Sequence, residues 1–231
     1  MKLLFLYNKV WFKSIALLPK MFRANGFEID FYWTSEGEFP TDLKSYQAVY
    51  LSGSVANPDD GYPWIARLTA LLQRISQLRL PTLGSCFGSQ ILATFLCGDD
   101  QVFRRNNCAL GYADISLQHS EPEDPLLQGL SSSLRMFVWH NLQVKSGHPD
   151  MKILGYNDDC SNYIWRYRDL PVWKIQGHLE LDSEAACSMS RRYHRFFKRT
   201  SASIAELVNS AELNTEAIKL FNNFINYCKL F

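Results

Sequence analysis

One cysteine lies in a segment whose residue types suit a nucleophile. Residues 80–93 (LPTLGSCFGSQILA) join an apolar, β-rich run to the start of an amphipathic helix, with a glycine on each side of Cys86. Gly84 and Gly88 permit the sharp strand-to-helix turn of a nucleophile elbow, because they add no side chain where the strand and the helix approach closely. A helix that begins directly after Cys86 points its backbone N–H groups at the sulfur, which favours the thiolate. The Phe87 N–H group is also placed to stabilise an oxyanion.

A cysteine nucleophile needs a base, and His178 has the most suitable context of the five histidines. The run 172–180 (VWKIQGHLE) is β-rich and ends in His-x-Glu. If the strand geometry continues, its period of two puts His178 and Glu180 on one side, where the carboxylate orients the imidazole and stabilises its cation. The pattern predicts a Cys–His–Glu site. An inert, buried Cys86 and a structural His178 are the alternatives at this point.

Composition and charge exclude several classes of protein. Of the 231 residues 47% are hydrophobic, which excludes a disordered chain, and 24 Lys+Arg against 23 Asp+Glu leave a charge of +1. That balance lacks a basic excess, so we expect no nucleic-acid partner. The apolar run 3–7 is shorter than a signal-peptide core or a membrane span, so we expect a cytoplasmic protein without membrane contact.

The spacing of metal-ligating and phosphate-binding residue types argues against a metal or a cofactor. The six cysteines form no CxxC pair and the five histidines no HxxxH pair. The sequence also lacks the Gly-x-x-x-x-Gly-Lys-Ser/Thr loop that binds the phosphates of ATP. We therefore expect no disulfide, no metal site and no cofactor.

The elements that position these residues alternate between strand-like and helical patterns. The first predicted strands lie at 2–7, 27–32, 48–51 and 81–84. The stretches between them are long enough for crossovers, which is the signature of βαβ units in a parallel sheet. A helix is predicted over 63–80, where apolar residues recur at three- and four-residue intervals, and another around 12–25.

Beyond about residue 101 the pattern changes to shorter strand-like runs, some of which we expect to be antiparallel. These runs lie at 112–117, 136–139, 152–156, 163–167 and 172–176. Two further helices are predicted at 183–199 and 214–230. The first contains a basic stretch with interleaved aromatics, 191–199 (RRYHRFFKR), in which we expect the aromatics to pack inward and the charges to be solvated.

The two chemical motifs together resemble those of a class I glutamine amidotransferase domain. Gly-x-Cys-x-Gly-x-Gln at 84–90 is followed by Gly-His-x-Glu at 177–180. Residues 49–54 (VYLSGS) are similar to the strand and glycine turn that supply the family's second oxyanion N–H group. The likeness covers most of the chain, and segments resembling free-standing members similar to the amidotransferase half of GMP synthase lie at 60–65, 137–140 and 162–167.

The resemblance implies a hydrolysis of the side-chain amide of glutamine. Cys86 would attack the amide and form a γ-glutamyl thioester, which releases ammonia, and water would then free glutamate. His178 would move the proton, and Glu180 would orient His178. Gly53 and Phe87 would supply the oxyanion N–H groups.

The resemblance also implies a substrate contact and a fold. Gln90 would help to hold the substrate, although an amide on the first turn of the elbow helix could instead cap that helix. The fold implied is α/β, a single domain over 1–231 with a three-layer, open, mostly parallel flavodoxin-like sheet and helices on both faces. Cys86 would lie at the carboxyl edge of a central strand, where ligands of open α/β sheets bind.

The sequence departs from the family pattern at four places. Leu179 stands where Pro is usual, Ser89 where His is common and Ser85 where an aliphatic residue is common, and Gly98-Asp99 replaces paired glycines. None of these changes removes a reacting atom, but they predict altered or weak activity.

Three functions stay open on the sequence. The first is a glutamine amidotransferase whose acceptor is handled by a synthase on a separate chain, since no second domain is recognised. The second is a hydrolase of γ-glutamyl peptides or small amides that uses the same three residues. The third is a catalytically weak domain that binds a metabolite or a partner protein.

Overall fold

A mixed nine-stranded sheet organises the chain in the computed structural model, which describes residues 1–8, 17–120, 123–168, 170–181, 186, 188 and 215–231. The strands are β1 (Lys2–Tyr7), β2 (Glu28–Trp33), β3 (Ala48–Leu51), β4 (Thr82–Ser85), β5 (Val102–Leu117), β6 (Ser133–Val144), β7 (Met151–Tyr156), β8 (Ile164–Tyr167) and β9 (Val172–Ile175). The α-helices described are α1 (Leu17–Ala24), α2 (Pro63–Gln77), α3 (Phe87–Cys97) and α4 (Thr215–Cys228).

The sheet has a parallel half and an antiparallel half. Its strand order is β2-β1-β3-β4-β9-β8-β7-β5-β6. The pairs from β2 to β9 are parallel, and the pairs from β9 to β6 are antiparallel. The carboxyl ends of β4 and β9 therefore meet at one edge of the sheet, although the two strands are far apart in the chain. The α/β fold predicted from the sequence is confirmed, but the sheet is mixed and not mostly parallel, because β5 to β9 pair with one another as antiparallel strands.

Helices cover both faces of the parallel half. Leu18 and Phe22 of α1 and Phe221 of α4 pack on the face that carries Phe5 and Tyr50. On the other face, apolar residues of α2 and α3 pack against alternate residues of the same strands: Leu68, Leu72, Ile91 and Leu92 contact the cluster of Leu4, Val49 and Leu51. Because both faces are buried, these strands are continuous apolar runs, as the sequence shows at 2–7.

The helix ends follow local backbone chemistry. α2 begins at Pro63 as predicted but ends at Gln77 instead of residue 80. Arg79 adopts a positive φ of 51°, and the Leu80 N–H group bonds back to the carbonyl of Ile75. Apart from residues 186 and 188, the predicted helix at 183–199 with its basic stretch lies outside the described residues, as does the first part of the helix predicted around 12–25. No helix in the described ranges is long and apolar enough to cross a bilayer.

The β5–β6 hairpin is much longer than its apolar cores at 112–117 and 136–139 predicted. Residues 102–107 of β5 are partly or fully exposed, so they carry no apolar signal. Their pairing with β6 is interrupted by a register shift between Arg104 and Ala109. β6 also curls towards the end of β9, where Phe137 pairs with His178 in an isolated antiparallel bridge. The hairpin therefore reaches the carboxyl edge of the sheet.

A buried carboxylate ties β8 and β9 to the loop before β6. Asp124 is 1% exposed, and its Oδ2 lies 3.3 Å from Nη1 of Arg166 on β8. Its Oδ1 accepts hydrogen bonds from Nε1 of Trp173 on β9 at 2.9 Å and from the Leu126 N–H group at 3.0 Å. This arrangement fixes the strand that leads to His178.

Replacing Asp124 should cost more stability than replacing an exposed acid. We expect Asp124→Ala to lower the free energy of unfolding by about 3–5 kcal/mol, because the partly buried Arg166 loses its carboxylate partner and the buried Trp173 N–H group loses its acceptor. Urea denaturation measures this change. Asp114→Ala, which removes an exposed ion pair with Arg135 at 3.7 Å, should change it by less than about 1 kcal/mol. Equal losses would contradict a clamping role for Asp124.

Candidate active site

Cys86 occupies a strained turn between β4 and α3. Its φ is 49° and its ψ is −107°, a conformation that non-glycine residues rarely adopt. Hydrogen bonds hold it on both sides: the Cys86 N–H group donates to the carbonyl of Ile175 at 2.8 Å, and the Cys86 carbonyl accepts from Gln90 at 3.0 Å. The thiol is 6% exposed and donates to the main-chain carbonyl of Trp139 on β6 at 3.6 Å. Strain of this kind is concentrated at functional sites.

Glycines let the backbone of α3 touch the strands beneath it. A Cβ atom at Gly84 would lie 2.6 Å from the carbonyl oxygen of Gly88. A Cβ atom at Gly88 would overlap the main-chain oxygen of Leu51 on β3. Both glycines are therefore required because the helix packs closely on the strands. Their positions in the sequence predicted the same requirement.

His178 and Glu180 form a buried pair beyond the end of β9. Nδ1 of His178 lies 2.8 Å from Oε1 of Glu180, and the two side chains are 11% and 2% exposed. The His178 N–H group donates to the carbonyl of Phe137 at 2.7 Å. A Cβ atom at Gly177 would overlap the Met136 sulfur and lie 3.0 Å from the Phe137 carbonyl oxygen, so a side chain there would displace Met136 on β6.

The electrostatics of this pair favour a charged imidazole. Burial by itself lowers the pKa of His178, but the Glu180 carboxylate and the Cys86 thiol raise it, and the net result is a pKa well above the ordinary value. Nδ1 faces Glu180, so the arrangement can hold a thiolate beside an imidazolium, which is the resting state of many cysteine nucleophiles.

Gly53 and Phe87, the two predicted oxyanion residues, lie on either side of the thiol. A Cβ atom at Gly53 would lie 3.0 Å from Cε1 of His178 and 3.5 Å from Cβ of Cys86. Phe87 follows Cys86 as the first residue of α3, where the N–H groups of a helix have no partner within the helix itself. Its ring is buried against Trp64 at 5.5 Å between centroids, which fixes the start of the helix.

Gln90 and His140 both bond to one main-chain carbonyl on β6. Nε2 of Gln90 donates to the Leu142 carbonyl at 3.2 Å, so this nitrogen binds β6 and does not cap α3. A contact between Gln90 and the substrate stays a prediction. Nδ1 of His140 lies 2.9 Å from the same oxygen. Burial and the nearby Arg105 charge lower the pKa of His140 to about 3, so it is neutral. These contacts hold β6 over the elbow.

Sequence reasoning missed two contributors to the site, the Trp139 carbonyl and Tyr50. The Trp139 carbonyl contacts the thiol through the main chain, for which no residue type is a signal. Tyr50 and Ser85 are fully buried, and their hydroxyl oxygens lie 2.9 Å apart. Ser85 did stand out as a hydroxyl beside the elbow, but its partner on β3 could not be known without the strand register.

The described cysteines are free thiols, and no three His, Cys, Asp or Glu side chains in the described ranges come close enough together to hold a metal ion.

The chain is similar to several known proteins. The family model described as "Glutamine amidotransferase class-I" matches residues 13–195. Gamma-glutamyl peptidase 2 of Arabidopsis thaliana is 27% identical over 177 residues, which cover 75% of this chain and 70% of that protein. A subunit of the glutamine-hydrolyzing GMP synthase of Pyrococcus abyssi is 26% identical over 141 residues, 61% of this chain and 72% of that protein. The crystal structure of a glutamine amidotransferase from Thermotoga maritima has a TM-score of 0.83 at 20% identity and covers 98% of this chain and 96% of its own.

The charge of Glu180 should control the protonation of His178. Glu180→Gln keeps the side chain's size but removes the charge that opposes the effect of burial, so the His178 pKa should fall. An NMR titration of the histidine Cε1–H resonances measures this midpoint. Glu123→Gln, which removes the partner of exposed His119 at 2.7 Å, should leave the His178 midpoint unchanged. An unchanged midpoint in Glu180→Gln would contradict the pairing.

The raised pKa of His178 also makes the stability of the fold depend on pH. Because the folded-state pKa of His178 is raised above an unfolded value of about 6.5, its protonation contributes stability that is fully present below that pH. This contribution is lost as the pH rises through the folded-state pKa. The stability difference between wild type and Glu180→Gln should therefore shrink at alkaline pH.

Strain at the elbow should make a glycine variant of Cys86 more stable than the alanine variant, the reverse of the usual order within a helix. We expect Cys86→Gly to be about 1 kcal/mol more stable than Cys86→Ala, because glycine tolerates a positive φ. At Cys97, in the last turn of α3, alanine should be the more stable of the two residues. Urea midpoints of the four variants test the pair of expectations, and a less stable Cys86→Gly would show that the turn is unstrained.

Proposed function

The chain belongs to the class I glutamine amidotransferase family, and on that premise we propose that it hydrolyses the side-chain amide of glutamine through Cys86. The observation that carries this proposal is the strained Cys86 elbow beside His178, which is itself 2.8 Å from Glu180. A thiol, a base and an orienting carboxylate are the groups that acyl transfer requires.

The first half of the reaction forms the thioester. The Cys86 thiolate attacks the amide carbon of glutamine, and the N–H groups of Gly53 and Phe87 stabilise the resulting oxyanion. The imidazolium of His178 gives its proton to the leaving nitrogen as the C–N bond breaks, so that ammonia departs. Glu180 holds His178 in place and balances its charge during this step.

The second half restores the enzyme. Water replaces ammonia in the site, and neutral His178 takes a proton from it as the oxygen attacks the thioester carbon. The C–S bond then breaks, the Cys86 thiolate is restored beside the imidazolium, and glutamate leaves. The free thiol on which both halves depend is suited to a reducing compartment, and we propose the cytoplasm.

We also propose that a separate partner chain uses the ammonia released at Cys86. The Pyrococcus abyssi relative is named as one subunit of a glutamine-hydrolyzing GMP synthase. By analogy, a separate synthase would bind this chain and use the ammonia released at Cys86.

A second candidate is the hydrolysis of γ-glutamyl peptides, which the relative named Gamma-glutamyl peptidase 2 supports. A cavity of about 400 Å³ lies along β5. Residues of β5 line it together with Val138 of β6 and Asp159. Val138 directly precedes Trp139, whose carbonyl contacts the Cys86 thiol. We propose that this cavity takes a leaving group larger than ammonia.

The deciding measurement is the release of glutamate and ammonia from glutamine by the purified protein, beside a panel of γ-glutamyl dipeptides. We expect glutamine hydrolysis that Cys86→Ala reduces by at least about a thousandfold, because the nucleophile is removed. Cys97→Ala, a cysteine substitution at the far end of α3, should keep the wild-type rate. Cleavage of the dipeptides alone would replace the first candidate by the second.

A protein that cleaves neither substrate class calls for a direct measurement of the thiol's reactivity. Labelling with a glutamine-like electrophile should then modify Cys86 faster than the other cysteines if the enzyme needs its partner. Uniformly slow labelling of all six cysteines would contradict both enzymatic candidates and favour a binding domain.

A further inference from the structure

Three polar side chains are buried where β1, β2 and β3 reach the carboxyl edge of the sheet. They are Asn8, Thr34 and Ser52, each 0% exposed. Each directly follows the last residue of its strand, and Ser52 directly precedes Gly53. Buried polar groups are costly unless they are hydrogen-bonded, so their hydrogen-bond partners indicate which groups they hold in place.

The side-chain amide of Asn8 joins these strand ends. Its Nδ2 donates to the Ser52 carbonyl at 3.0 Å, and its Oδ1 accepts from the Thr34 hydroxyl at 2.7 Å. The Asn8 main-chain N–H group donates to Oγ of Ser52 at 2.9 Å. The amide is fixed in this orientation, because exchanging its nitrogen and oxygen would place an acceptor against the Ser52 carbonyl.

The Ser52 carbonyl belongs to the same peptide unit as the Gly53 N–H group. A trans peptide is planar and its N–H group points away from its carbonyl oxygen, so a partner that holds the oxygen also sets the direction of the N–H group. Asn8 is that partner. The next peptide unit is held too, since Oγ of Ser52 donates to the Gly53 carbonyl at 2.9 Å. Both peptide units that flank Gly53 are therefore fixed, although glycine has the greatest backbone freedom of any residue.

The Gly53 N–H group is available to a ligand. Gly53 lies against the candidate base and nucleophile, since a Cβ atom there would be 3.0 Å from Cε1 of His178 and 3.5 Å from Cβ of Cys86. Within the described part of the chain, the N–H group of this buried residue has no hydrogen-bond acceptor. Such groups are rare in folded proteins. An oxyanion bonded to Cys86 would supply the missing acceptor.

We propose that Asn8 is a positioning residue that orients the oxyanion site by holding the Ser52–Gly53 peptide. This inference rests on the oxyanion role that the proposed function gives to the Gly53 N–H group. Asn8 supplies no reacting atom and acts on the reaction through Gly53. Because the peptide is held before any substrate arrives, the oxyanion gains its donor without a rearrangement in the transition state.

The first test measures glutamine hydrolysis by Asn8→Ala. We expect kcat to fall about tenfold, less than the roughly hundredfold lost with a whole oxyanion donor, because the Gly53 N–H group remains but loses its fixed direction. KM should stay within about twofold, since the oxyanion forms only in the transition state. Thr34→Val, which removes the donor to Oδ1 of Asn8, should lose a smaller factor, and Thr34→Ser, which keeps the hydroxyl, should recover it.

Asn223→Ala is the matched control for Asn8→Ala. Asn223 lies on α4, and its Nδ2 also donates to main-chain carbonyls, those of Leu126 at 3.1 Å and Gln128 at 2.8 Å. Removing this amide should leave kcat at the wild-type value, because the carbonyls that it holds lie on the loop before β6 and not beside the thiol.

Two small probes separate this proposal from the proposed function, because neither needs glutamine or a partner chain. With p-nitrophenyl acetate the Cys86 sulfur bonds to the acetyl carbon through a tetrahedral oxyanion, the C–O bond breaks and p-nitrophenolate leaves. Iodoacetamide alkylates the same sulfur by displacing iodide, and no oxyanion forms. The p-nitrophenolate release that Cys86→Ala abolishes measures the acylation, and mass spectrometry measures the alkylation.

Asn8→Ala should slow the acylation of Cys86 at least about fivefold and leave its alkylation at the wild-type rate. That result supports the proposal even if no glutamine is hydrolysed, in which case the proposed function alone fails. Wild-type acylation in Asn8→Ala, an equal loss of both reactions, or a wild type in which Cys86 is not acylated would overturn the proposal. If Asn8→Ala fails to fold, Thr34→Val and Thr34→Ser decide by the same criteria.

Discussion

The parallel pairing of β4 with β9 is the interaction on which the candidate site depends. Ser85 pairs with Ile175, and one residue further along β4 the Cys86 N–H group donates to the Ile175 carbonyl at 2.8 Å. His178 follows Ile175 by a short extension of the same strand. Since parallel strands end at the same edge, this register brings the thiol and the imidazole together from distant parts of the chain.

Backbone contacts then set the precision of the site. α3 lies directly on β3 and β4 because Gly84 and Gly88 have no Cβ atoms, and this packing holds Cys86 in its strained turn. Gly177 lets the segment after β9 approach β6, and Gly53 leaves room for the His178 ring. At Gly84 and Gly88 the approach is closer than a side chain would allow, so the surrounding fold maintains a conformation that the turn would not adopt by itself.

The site combines burial with charge, and each buried charge depends on a neighbour. Burial alone would keep His178 neutral, yet Glu180 and Cys86 reverse that preference. The curled β5–β6 hairpin lies against the thiol through Trp139 and against the imidazole through Phe137. In this enclosed setting Coulombic interactions are stronger than in water, which is what a nucleophile that works by charge separation requires.

The sequence by itself determined the α/β fold class, the first strands and the candidate thiol, base and carboxylate, because these depend on local periodicity and on glycine positions. It could not determine the full length of β5 and β6, since exposed strand residues carry no apolar signal. Nor could it assign the Gln90 amide to the Leu142 carbonyl or place the Tyr50 hydroxyl beside Ser85. Those contacts join residues that only strand order and register bring together, and they were decided by the tertiary structure.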